Sequence, residues 1–134
     1  MLVAIDFGIS NTDLVVFDKG KTSFYSAPSH FAKMNDGTIK DILMKHNLDA
    51  SCIKIIGVTG GKSSDLSDSL EGIKIVKINE IEAIGLGAKK IYGIEDDSSL
   101  VVSAGTGTAC VHVQGNHFNH LGGIAVGGGM LEGL

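Results

Sequence analysis

The sequence predicts an α/β chain whose sheet mixes antiparallel hairpins with parallel crossovers. Three observations carry this. Short strand-like runs joined by hairpin turns open the chain, apolar runs then alternate with segments of helical period, and a second set of hairpin strands follows. Residues 2–6, 12–17 and 21–26 read as the opening strands, the last two joined by Asp18-Lys19-Gly20, a hairpin signal. Residues 28–35, which hold the single proline, read as loop.

Thr38 reads as a helix N-cap with Asp41 three residues on, and Ile39, Ile42, Leu43 and His46 share one face of a helix ending near Asn47. Residues 53–58 form an apolar run bounded by polar residues and Gly60-Gly61, the pattern of a buried parallel strand. A loop or short helix leads to a strand over 73–77. Asn79 then caps a helix in which Ile81, Ile84, Ala88 and Ile91 recur at helical spacing, and Gly93 ends it. Residues 100–104, 108–114 and 117–121 read as three more strands. Gly115-Asn116 is their tight turn, setting Gln114 opposite His117 and Val113 opposite Phe118.

That order is the order of a ribonuclease H-like lobe, residues 1–97, followed by the opening strands of a second similar lobe, residues 98–134. Leu134 falls where the first turn of a helix is expected, so the chain reads as a fragment of a larger enzyme. A fragment of that kind is expected to expose apolar surface and to self-associate or dissolve poorly.

Composition narrows the function. The 134 residues suit one domain or one lobe, and 43% hydrophobic content suffices for a core of Ile, Val, Leu and Ala. Net charge is -4, with no basic run or basic helix face, which argues against nucleic acid and anionic membrane as partners. Cys52 and Cys110 match no metal or redox spacing, and residues 1–6 show neither a basic n-region nor a long apolar run, so the expectation is a cytoplasmic protein. Glycine is the outlier at 19 of 134 residues, about twice its ordinary share, and is concentrated from Gly105 onward. Such clustering marks places where the backbone turns sharply or approaches a ligand closely.

Three turns rich in glycine and hydroxyls follow strands: Asp6 to Thr12, Thr59 to Ser63, and Ala104 to Thr108. Turns of this kind aim backbone N–H groups at an anion, with Ser10, Thr12, Thr106 and Thr108 adding donors. Two of them facing each other across a cleft would clamp a polyphosphate. Each alone also has a plain structural reading, since hairpins need glycine anyway. Asp6 ends an apolar strand, where it is either a Mg²⁺ partner acting through water or the closure of an Asx-turn. Gly61-Lys62-Ser63 is not a P-loop, because Ile56 stands where that motif needs glycine, and no G-x-G-x-x-G opens a helix. His112, His117 and His120 do not converge in the expected hairpin register and are not read as a metal site. Glu80 and Glu82 point to different sides of a helix. Glu82 reads as solvated, whereas Glu80 sits at the N-terminal edge, where it could accept a proton from an attacking hydroxyl.

These residues carry a family likeness. Ile5-Asp6-Phe7-Gly8 with Ser10 resembles the first phosphate motif of the acetate/sugar kinase, heat-shock chaperone and actin superfamily, and residues 102–108 resemble its second. Val58-Thr59-Gly60-Gly61, Asn79-Glu80-Ile81-Glu82-Ala83 and the glycine-rich run 121–134 are similar to type II pantothenate kinases. The resemblance implies an actin-like ATPase fold and ATP-dependent phosphorylation of pantothenate, with a homodimer as the whole enzyme. It makes Glu80 the catalytic base and Asp6 the magnesium-associated aspartate. Gly8, Ser10, Asn11, Thr12, Gly105, Thr106, Gly107 and Thr108 become phosphate-site residues, with Thr106 and Thr108 also lining the pantothenate site. Gly127, Gly128 and Gly129 become the loop near the nucleotide phosphates. Phosphoryl transfer is compatible with such a set, since it needs mainly positioning and charge neutralisation.

Three positions depart from the pattern. Asp13 stands where the family has a phosphate-balancing lysine, with Ile9 where a second glycine is usual. His120 stands where an arginine holds the pantothenate carboxylate, which removes a bidentate grip. Two alternatives therefore stay open: an ATPase subunit of the hydantoinase and oxoprolinase type, which residues 11–15 also resemble, and a degenerate nucleotide-binding lobe with a regulatory role.

Overall fold

The computed structural model describes residues 1–30, 34–61, 63–94, 98–128 and 130. They fall into two compact units, residues 1–78 and 79–134.

In the first unit, β1 (Leu2–Phe7), β2 (Asn11–Asp18) and β3 (Lys21–Pro28) form an antiparallel meander. Lys19 and Gly20, both at positive φ, make its two-residue turn and set Asp18 opposite Lys21. β4 (Ile55–Thr59) lies parallel to β1, and β6 (Ile73–Lys77) parallel to β4. The short edge strand β5 (Ser69–Leu70) completes the sheet order β3-β2-β1-β4-β6-β5. One sheet face presents Val3, Ile5, Phe7, Leu14, Val16, Ile56 and Val58 to α1 (Asp36–Lys45), where Ile39, Ile42 and Leu43 meet them. The alternation of buried and exposed residues along β1 and β2 is the signature of a sheet covered on one face.

The N-cap of α1 is Asn35, not Thr38. Asn35 Oδ1 accepts from Thr38 N–H at 3.2 Å while Asn35 N–H donates to Thr38 Oγ1 at 3.3 Å, a reciprocal capping box one turn earlier than expected. Pro28, expected in a loop, ends β3, where an edge strand tolerates the missing donor.

In the second unit, α2 (Glu80–Tyr92) starts from Asn79, whose Oδ1 accepts from Ile81 N–H at 2.8 Å, and stops at Gly93 in the left-handed region. β7 (Ser99–Ala104), β8 (Thr108–Gln114) and β9 (His117–Ile124) form an antiparallel sheet with β8 central. Gly115-Asn116 makes the β8–β9 turn, and Gln114 pairs with His117 and Val113 with Phe118. β9 runs three residues past the expected Leu121. Cys110 pairs with Gly122 and Val111 with His120, so Leu121 is the extra residue of a bulge.

Two small residues let α2 approach the sheet, where Val111 and Val113 are fully buried. Ala88 is buried, and a Cβ on Gly85 would collide with the Phe118 ring. Lys89 Nζ donates to the Gly115 carbonyl at 2.6 Å, fastening the helix to the hairpin tip. Ile91, expected on the buried face, is 75% exposed. The lobe boundary expected at residues 97/98 differs from the observed division after Ile78, because α2 packs on β7, β8 and β9.

Candidate functional site

The first turn joins β1 to β2, with Phe7 opposite Thr12. A Cβ on Gly8 would lie 2.5 Å from the Asn11 carbonyl oxygen, so the turn closes only around glycine there. Ser29, just after β3, braces it from outside. Ser29 Oγ donates to the Gly8 carbonyl at 2.9 Å, Ser29 N–H donates to the Ser10 carbonyl at 2.8 Å, and the Ser29 and Thr12 hydroxyls are 2.8 Å apart. Thr12, expected to offer its hydroxyl to a phosphate, is 7% exposed and bonds inside the protein. Gly8, Ser10 and Asn11 are exposed at the turn.

Asp6 occupies an exposed position directly opposite Asp13 on β2 and beside Thr59 on β4. Alternation puts all three side chains on the face away from α1. Thr59 Oγ1 is buried and has no hydrogen-bond partner among the described residues. The turn after Thr59 crosses close behind β1: at Gly60, φ is +95° and a Cβ would collide with Phe7 backbone. Ser63, buried, closes this turn by donating both Oγ–H and N–H to the Gly60 carbonyl at 2.8 and 3.1 Å. Lys62 lies outside the described residues.

In the second unit the Ala104–Thr108 turn is braced by the chain that follows β9. Thr108 Oγ1 donates to the Val126 carbonyl at 2.8 Å, and Gly105 N–H donates to the Gly107 carbonyl at 2.8 Å. A Cβ on Gly127 would lie 2.5 Å from the Gly107 carbonyl oxygen and 2.6 Å from that of Gly105. Gly107 is equally confined, its Cβ position being 2.9 Å from the Ile124 carbonyl oxygen. Gly128 stands off by 3.4 Å, Thr106 is exposed, and Gly129 lies outside the described residues. Thus the glycine run and the second turn are brought together, with Thr108 joining them.

Glu80 is the first residue of α2 and is exposed. An open concavity of about 510 Å³ in this unit is lined by Asn79, Ile81, Glu82 and residues 116–120. It contains His120 and Glu82 but not Glu80. Glu82, read from sequence as merely solvated, shares this concavity because the helix start lies over the hairpin tip. His112 bonds Ser98 Oγ at 2.6 Å, and among the described residues no three His, Cys, Asp or Glu side chains are grouped to hold a metal ion. No described helix is long and apolar enough to cross a membrane. Sequence reading missed Ser29, although the Lys19-Gly20 turn fixes a register that places Pro28 opposite Asn11 and hence Ser29 beside the first turn.

The architecture is that of the actin-like ATPase fold. A candidate 2-dehydro-3-deoxygalactonokinase from Sinorhizobium meliloti aligns at a TM-score of 0.62 with 15% identity, over 90% of this chain and 53% of that one. The activator of 2-hydroxyisocaproyl-CoA dehydratase from Clostridium difficile, with bound ADPNP, aligns at 0.59 with 16% identity, over 92% and 44%. By sequence, the chain is 29% identical over 89 residues to the type II pantothenate kinase of Staphylococcus haemolyticus, covering 65% of this chain and 34% of that protein. The chain thus spans about a third of the length of the curated relative it matches. No protein-family model matches it.

Proposed function

We propose that the chain is the nucleotide-binding part of an ATP-dependent phosphotransferase, with pantothenate as its acceptor. The observation that carries the reading is the pair of braced strand–turn–strand hairpins, each closed by a glycine that tolerates no side chain, one of them beginning at Asp6. Backbone N–H groups in such turns suit phosphate oxygens. The likeness to nucleotide-binding and kinase structures of this fold and to a pantothenate kinase supports it.

A magnesium ion fits the donor set in the first unit. Asp6 and Asp13 supply carboxylate oxygens, and the buried Thr59 hydroxyl beside Asp6 is a further oxygen ligand or water partner. Bound there, Mg²⁺ would neutralise phosphate charge, a task that the family's lysine shares and Asp13 cannot. In this reading Glu80 takes the proton of the attacking hydroxyl, Thr106 and Thr108 border the phosphate and acceptor, and His120 meets the acceptor. We place the protein in the cytoplasm and the whole enzyme as a homodimer.

A second reading keeps the reaction and changes the acceptor. Glu82 and His120 line one concavity, so an acceptor carboxylate brought to His120 would meet another carboxylate. This part alone is expected to be inactive, so incubating the full-length protein with labelled ATP, Mg²⁺ and either pantothenate or its neutral amide separates the two. Phosphorylation of pantothenate is expected. Transfer to the amide alone would favour the second reading, and transfer to neither, with no binding of ATP by calorimetry, would sink both.

A further inference from the structure

Ser29 makes three hydrogen bonds to three different residues of the first turn, although it belongs to the chain beyond β3. Its hydroxyl and its N–H donate to the carbonyls of Gly8 and Ser10. A trans peptide is planar, with its C=O and the next N–H pointing in opposite directions. Fixing the Gly8 carbonyl toward Ser29 therefore turns the Ile9 N–H away from Ser29, and fixing the Ser10 carbonyl does the same for Asn11. A turn that binds an anion needs its carbonyls held back and its N–H groups forward.

We infer that Ser29 is a positioning residue that sets the direction of the N–H groups of the first turn, and so its affinity for phosphate. The inference rests on the reading of that turn as a phosphate site. Thr12 is the second half of the device. Its hydroxyl, 7% exposed, bonds Ser29 Oγ at 2.8 Å and holds the serine in the rotamer that reaches the Gly8 carbonyl. Through its hydroxyl Ser29 reaches Thr12 and Gly8, 17 and 21 residues back along the chain.

The test compares Ser29→Ala and Ser29→Thr with the unaltered chain in two measurements. Calorimetric titration with a non-hydrolysable ATP analogue and Mg²⁺ should show affinity about tenfold weaker for the alanine variant, the equivalent of ~1.4 kcal/mol. The threonine variant, which keeps the hydroxyl, should come within about threefold of the original. Without nucleotide, the backbone amide NMR resonance of Ile9 should move in the alanine variant and return toward its original position in the threonine variant, while those of Ile56 and Val58 in β4 stay in place. A general loss of stability leaves the resonances of the folded state where they are. An unmoved Ile9 resonance, equal displacement at turn and core, or nucleotide affinity unaltered by Ser29→Ala would each overturn the assignment. If the unaltered chain binds no nucleotide, the phosphate reading fails, and the Ile9 resonance then decides alone whether Ser29 orders the turn.

Discussion

The first and second turns occupy the same place in two similar three-stranded meanders, yet they are held by different chemistry. In each, the chain at the end of the third strand returns to brace the turn between the first two. Behind Gly8–Asn11 that chain brings a hydroxyl and an N–H, both from Ser29. Behind Gly105–Gly107 it brings Gly127, whose missing side chain leaves room for two carbonyl oxygens, while the hydroxyl comes from the turn side, Thr108. One brace is built from hydrogen bonds and the other chiefly from close backbone packing. The first should fail when an atom is removed, the second when one is added.

Gly127→Ala should therefore have the largest effect. Its Cβ meets backbone that cannot swing aside, costing about 2 kcal/mol by overpacking and lowering the melting temperature. The same substitution at Gly128, where the nearest oxygen is 3.4 Å away, should cost much less, and equal losses would mean that packing is not what holds the second turn. Ser29→Ala and Thr108→Val each remove a bracing hydroxyl and should each cost about 1 kcal/mol in chemical denaturation. A difference between them would measure how far Gly127 alone sustains the second turn. Asp13→Asn should act in the other direction, relieving a like-charge pair directly across β1 and β2 and stabilising by about 0.5 kcal/mol without Mg²⁺. With Mg²⁺ present, the gain should shrink if Asp13 helps hold the ion.

The smallest effect is one of pH. The Asp36 carboxylate is held below its ordinary range chiefly by the Ser67 hydroxyl at 2.7 Å, then by the Ser67 N–H at 3.2 Å. A depressed folded-state value gives stability that is present above the ordinary aspartate range and lost as pH falls through the lowered value. Ser67→Ala should accordingly lower the first unit's stability slightly at neutral pH, leave it nearly unchanged once the pH has fallen below the lowered value, and so flatten the acid limb of its stability curve.

Much of this arrangement was legible in the residues. The β8–β9 register followed from Gly115-Asn116, and the start and stop of α2 from Asn79 and Gly93, because each signal is local and has one dominant geometry. The α1 cap was misread because Asn35 and Thr38 both begin plausible capping boxes, and only packing of Ile39 and Leu43 against the sheet decides between them. Ile91 was misplaced because helical spacing does not say where the covering sheet ends. The attachment of α2 to the second sheet rests on Gly85 meeting Phe118, a pairing across 33 positions that no local pattern encodes. At the candidate site, the glycines and Asp6 announced themselves by type, whereas Ser29 is an ordinary serine made special only by strand register.

The contacts of α2 have a mechanical consequence. Gly85 seats the helix on Phe118 and Lys89 ties it to Gly115, so the helix is fixed to the β8–β9 hairpin at two points one turn apart. Two fixed points remove both sliding and swivelling. Glu80, at the start of the same helix, is thereby carried at a constant lever arm from the hairpin tip, and a ligand that tilts the tip would steer that carboxylate as well.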